Sequence, residues 1–129
     1  MRTAYICSPF GDPGAAVRAE NIRRARDLAA CAIRHGRAPL VVHGEVEAGT
    51  YGHDADPEAR ARGLAMACAL ALACDEVWVM ISRRGVTDGM RREILAAQAA
   101  GRPLVEVDLY GDWGTPEAIH WPPGCPRSA

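Results

Sequence analysis

Apolar positions along this chain alternate between short continuous runs and longer stripes at helical spacing. Thr3-Ala4-Tyr5-Ile6-Cys7 is a short apolar run that reads as a strand covered on both faces. It breaks at Ser8-Pro9-Phe10-Gly11-Asp12-Pro13-Gly14, a loop of turn residues. Ile22, Ala25, Ala29, Ala32 and Ile33 then recur at helical spacing, predicting a helix to about His35 with Gly36 as its C-cap. Ala38 to Val42 reads as a second strand, with Pro39 near its start. His43 to Asp56 has little periodicity, and loops of that length in compact domains are usually functional. Asp56-Pro57-Glu58 combines a cap, a first-position proline and a first-turn acid, so a helix is expected from there to about Ala73.

Glu76 to Ile81 reads as a buried parallel strand, Ser82 to Asp88 as a polar loop, Met90 to Ala100 as a helix ended by Gly101-Arg102-Pro103, and Leu104 to Val107 as a fourth strand. This βα alternation predicts an α/β fold with a parallel sheet of four to five strands, order about 2-1-3-4, helices on both faces and right-handed crossovers. Residues 1–109 form the expected domain, and 110–129 read as an irregular tail holding Tyr110, Trp113 and Trp121. The second half of the helix ending at Ala73 is apolar all round. Such a helix needs cover on two sides, from the sheet and from a second subunit, so a homodimer or higher homo-oligomer is expected.

Composition narrows the function classes. The 129 residues carry 15 basic and 16 acidic side chains, and the arginines at 23, 24 and 26 alternate with apolar helix positions like a solvated face. No basic footprint for a nucleic acid polymer is present. Five cysteines, an odd number without a C-x-x-C pair, point to reduced thiols in a cytoplasmic protein. The longest apolar stretch, Leu64 to Cys74, is too short to cross a bilayer, so no membrane partner is expected.

Candidate chemistry centres on Gly89-Met90-Arg91-Arg92-Glu93. An acid one turn into a helix that follows a strand and a glycine-containing loop lies beside a ligand crevice. With that strand order, the crevice opens between the first and third strands, outside their carboxyl ends. The loops at Ser8 and Ser82 then face each other across it. In its plainest reading, Glu93 is a surface acid placed for the helix dipole.

Several segments together carry a resemblance: Tyr5-Ile6-Cys7-Ser8-Pro9-Phe10, Asn21-Ile22, Asp56-Pro57-Glu58, Cys74 to Val79, Gly89 to Glu93 with Ile94 and Ala97, and Gly101-x-Pro103-Leu104. Over roughly residues 3 to 107 the chain resembles the nucleoside 2-deoxyribosyltransferase-like superfamily, most closely an uncharacterised small-domain branch. The resemblance implies a flavodoxin/Rossmann-like three-layer sandwich. It also implies cleavage, by hydrolysis or transfer, of the N-glycosidic bond of a nucleoside or nucleoside 5′-monophosphate. Glu93 takes the role of nucleophile, giving a covalent glycosyl-glutamate, and Tyr5 helps to hold it. Ser8, Pro9 and Phe10 border the base or sugar. Ser82, Arg83, Arg84 and Thr87 match loops that bind a 5′-phosphate, and Gly89 and Met90 complete the substrate frame. Thr87 stands where characterised transferases have an acid, and the helix segment Leu64 to Cys68 lacks their second acid. Asp88 is then the candidate general acid. Loss of those acids also fits a non-catalytic nucleotide-sensing module.

His43 reads as a substrate-loop residue or a hydrogen-bonded structural histidine. His43, His53, Asp54 and Asp56 match no tight metal-ligand spacing, so no metal is expected. Without a glycine-rich dinucleotide or phosphate-loop motif, no cofactor is expected either.

Overall fold

The computed structural model describes residues 1–9, 15–42 and 57–127. In chain order these form β1 (Arg2–Cys7), α1 (Ala15–Arg34), β2 (Arg37–Leu40), α2 (Pro57–Ala73), β3 (Glu76–Met80), α3 (Asp88–Ala99), β4 (Leu104–Asp108) and β5 (Ala118–His120). One five-stranded sheet runs β2-β1-β3-β4-β5. The β1–β2, β1–β3 and β3–β4 pairs are parallel, as expected, and β4–β5 is antiparallel. The sheet is therefore mixed. Its antiparallel edge comes from the segment read as an irregular tail, where the three residues of β5 are too few and too exposed to leave a periodic signal.

Strand alternation divides the core into two layers of side chains. Ala4, Ile6, Trp78, Met80, Val105 and Val107 face α1, meeting Ala25, Leu28, Ala29 and Ala32. Tyr5, Cys7, Val77 and Val79 point to the opposite face, where they pack with Ala67 and Ala71 of α2 and Met90 and Ala97 of α3. The inward stripe of α1 is Asn21, Ala25, Leu28 and Ala32; Ile33, expected on it, is 61% exposed. α2 turns Ala59, Gly63, Ala67 and Ala71 inward at four-residue spacing, and these small side chains let it lie close to α3. All five residues of β3 are buried, as suits the central strand of a covered sheet.

The tail closes the amino edge of the sheet. Trp121 packs edge-on against Trp78 at 5.6 Å between ring centroids. Beneath it, Glu76 accepts hydrogen bonds from Arg37 Nε at 2.7 Å, Trp78 Nε1 at 2.8 Å and Arg2 Nε at 3.0 Å. Arg37 also donates to the carbonyls of His35 and Pro126. At the start of β3, Asp75 exchanges hydrogen bonds with Thr3, accepting from the Thr3 amide at 2.7 Å.

Candidate functional site

β1 and β3 are neighbours whose onward connections leave in opposite directions, so the switch point lies between their carboxyl ends. Ser8 and Pro9 leave β1 there, and Ser82, Arg83 and Arg84 leave β3 there. The structure brings both loops to the same edge but divides the expected site residues between the two faces of the sheet.

Glu93 belongs to the α2–α3 side. Met90, Glu93 and Ala97 form the buried stripe of α3, and Glu93 is 2% exposed. Its neighbours include the Cys7 thiol, which is pushed well up by burial, then by the Glu93 charge and a hydrogen bond with Glu93. Cys68 of α2 is likewise raised, by burial first and then by the Glu93 charge. The carboxyl group thus sits between thiols of β1 and α2, with fully buried Tyr5 on the same sheet face. An acid buried among apolar and weakly polar groups is shielded from water. Cys7 also reaches the Met90 carbonyl, with Sγ 3.9 Å from it.

Thr87 caps α3: its Oγ1 accepts from the Met90 amide at 3.3 Å, and its carbonyl accepts from the Arg91 amide. Asp88 is exposed in the first turn, five positions before Glu93, a rotation of ~140° about the helix axis. The two acids therefore occupy different faces of α3. A side chain at Gly89 would meet Leu64 at 3.4 Å, so this glycine marks the α2–α3 contact. Phe10 and His43 lie outside the described residues, as do His53, Asp54 and Asp56. Among the described residues, no group of three or more potential metal ligands occurs, and no helix is long and apolar enough to cross a membrane. All five cysteines are free.

Among the described residues, an open cleft of about 210 Å³ lies at this edge on the α1 side. Asn21, Arg24, Ser82, Arg83, Arg84 and Asp112 are among the residues that line it. Arg24, read from sequence as part of a solvated face, is half-buried. It bonds Glu20 at 2.9 Å and Asp112 at 3.4 Å, and its guanidinium lies 4.4 Å from the Tyr110 ring centroid. The hydroxyls of Ser8 and Ser82 are buried without a hydrogen-bond partner among the described residues. Sequence reasoning missed Asn21, Arg24 and Asp112 as cleft residues. Asn21 stands on the inward stripe of an otherwise apolar helix face, a signal legible in principle. Asp112 lies in the tail and has no such signal.

One family model matches the chain, over residues 2–107, and its description is "Domain of unknown function (DUF7768)". The match ends inside β4, so β5, Asp112 and the tryptophans of the tail lie beyond it. No curated protein matches the chain.

Proposed function

The chain belongs to that family of unknown function, and we propose that it cleaves the N-glycosidic bond of a nucleoside or nucleoside 5′-monophosphate with Glu93 as nucleophile. What supports the reading is the buried Glu93 carboxyl group, held by α3 beside Cys7 of β1, with Tyr5 buried on the same sheet face. The flavodoxin/Rossmann-like arrangement belongs to the same reading. A Glu93 oxygen attacks the anomeric carbon as the carbon–nitrogen bond breaks, and the bonding pair leaves with the base nitrogen, which takes up a proton. Water then attacks the glycosyl ester. Its oxygen stays on the sugar, the bond to Glu93 breaks, and one of its protons replaces the one delivered to the base. Another nucleobase in place of water makes the reaction a transfer. Tyr5 positions the carboxylate, and Asp88, exposed on another face of α3, is the candidate proton donor acting through solvent. The apolar second half of α2 supports a homo-oligomer as the working form; a purely monomeric species in sedimentation would remove that part of the reading.

The test is chromatographic detection of free base after incubation with nucleosides and their 5′-monophosphates. Base release by the wild type and its loss by about 10³-fold or more in Glu93→Gln, with thermal stability retained, is the expected result. A second reading, a nucleotide-binding module without turnover, is favoured by one observation. Among the described residues an open cleft lies on the α1 face, whereas Glu93 is buried on the other. No base release together with thermal stabilisation by one of those nucleotides would select it.

A further inference from the structure

Cys7 is the last residue of β1 and pairs in register with Val79 of β3, so the central ladder fixes its backbone. Strand alternation turns its side chain to the α2–α3 face, where it is fully buried and packs with Met90. Met90 and Glu93 stand three positions apart on the buried stripe of α3 and so share one face of that helix. A thiol set against that face has two acceptors near it. The Met90 carbonyl oxygen is 3.9 Å from Sγ, which is long even for a sulfur donor. The other acceptor is the Glu93 side chain, which shares a hydrogen bond with this thiol.

Cys68 of α2 is the second thiol near Glu93, and the two differ in how they meet it. Burial is the largest influence on both, and the Glu93 charge acts on both, but the hydrogen bond is made by Cys7. With its pKa pushed well up, chiefly by burial, the Cys7 thiol keeps its proton at neutral pH. It is therefore a donor to the carboxylate and not a rival nucleophile. A thiol also suits this position. Small and weakly polar, it packs among Tyr5, Val77, Val79 and Met90 as a hydrophobe does, while offering one proton. The terminal torsion of a glutamate is soft. A carboxylate that must meet an anomeric carbon in line gains from having one oxygen held while the other attacks.

We propose that Cys7 is a positioning residue for Glu93: its S–H donates to one carboxylate oxygen and leaves the other aimed at the substrate. This role rests on the glycosidase reading of Glu93. The Cys7 proton stays on sulfur through both steps, so the proton taken up by the base comes from another group.

The test joins infrared spectroscopy of the resting protein to steady-state base release. S–H stretching bands fall in a window clear of other protein absorptions, and subtracting the spectrum of the matching Cys7→Ser protein isolates the band of Cys7. In wild type this band is expected at the low frequency of a hydrogen-bonded thiol, and in Glu93→Gln it moves to higher frequency, because an amide oxygen is the weaker acceptor. In base release, Cys7→Ala is expected to lower kcat about ten-fold with KM unchanged, and Cys7→Ser, which keeps a donor, to stay within about three-fold of wild type. A Cys7 band at the same frequency in wild type and Glu93→Gln overturns the proposal, since the thiol is then bonded to Met90 alone. This comparison decides the matter even if Cys7→Ala does not fold. An unchanged kcat in Cys7→Ala overturns it too, as does a Cys7→Ser protein as slow as Cys7→Ala. Those three outcomes leave base release by wild type intact, and with it the glycosidase reading; no base release by wild type overturns that reading and this role together.

Discussion

Glu76 and Arg37 are fully buried charges that meet at 2.7 Å from positions 39 residues apart. Burial by itself raises the Glu76 pKa, but hydrogen bonds from Arg37, Trp78, Arg2 and Cys125 outweigh it, and the net shift is downward. A carboxylate whose folded pKa lies below its unfolded value stabilises the fold at neutral pH. That contribution declines as pH falls below the ordinary value of 4.5 and is lost once pH passes the folded value. Glu76→Gln leaves the Arg37 charge buried without its counter-ion and is expected to cost about 3–5 kcal/mol at neutral pH. Urea unfolding at neutral pH and at about pH 3.5 measures both effects: the variant is the less stable at neutral pH, and its stability falls less on acidification. An equal fall in both proteins would remove Glu76 from the acid response.

Among the elements, α3 has the most direct bearing on the site, because it carries Glu93 and starts at the loop that lines the cleft. Its start depends on Thr87, whose extended backbone and hydroxyl form the cap. Thr87→Ala is expected to lower stability by about 1 kcal/mol and Thr87→Ser by much less; matched urea midpoints for all three proteins check this. The segment 82–88 is also tied to the tail, through Trp113 to the Ser82 carbonyl and through Asp112 to Arg83. The sequence read this helix from Met90 with Thr87 and Asp88 in the preceding loop, whereas the structure starts α3 at Asp88 with Thr87 as its cap. The tie to the tail was not legible, because hydrogen bonds between irregular segments leave no periodicity.

For the whole molecule, the boundary read at residue 109 does not mark a removable appendage. β5 covers the edge of β4, Trp121 packs on Trp78 and Arg37, and the Pro126 carbonyl accepts from Arg37. Deleting residues 110–129 opens a fully buried tryptophan and a buried ion pair to water. The expected loss exceeds about 4 kcal/mol, from apolar area and from the weakened pair, and urea unfolding of the shortened chain beside the full one measures it. A midpoint within error of the full chain would make the tail dispensable for stability, although it also supplies Asp112 to the cleft.

The sequence by itself determined the order of strands and helices as far as β4 and the parallel pairing of the first four strands. Those properties follow from local periodicity, capping residues and the handedness of crossovers, all of which act over a few neighbouring residues. Only the tertiary structure decided that β5 runs antiparallel, that Glu76 pairs with Arg37, and that Glu93 and the arginine cleft lie on opposite faces of the sheet. Each of these depends on the contact of side chains far apart in the chain, where the residue types alone admit many partners and packing selects one.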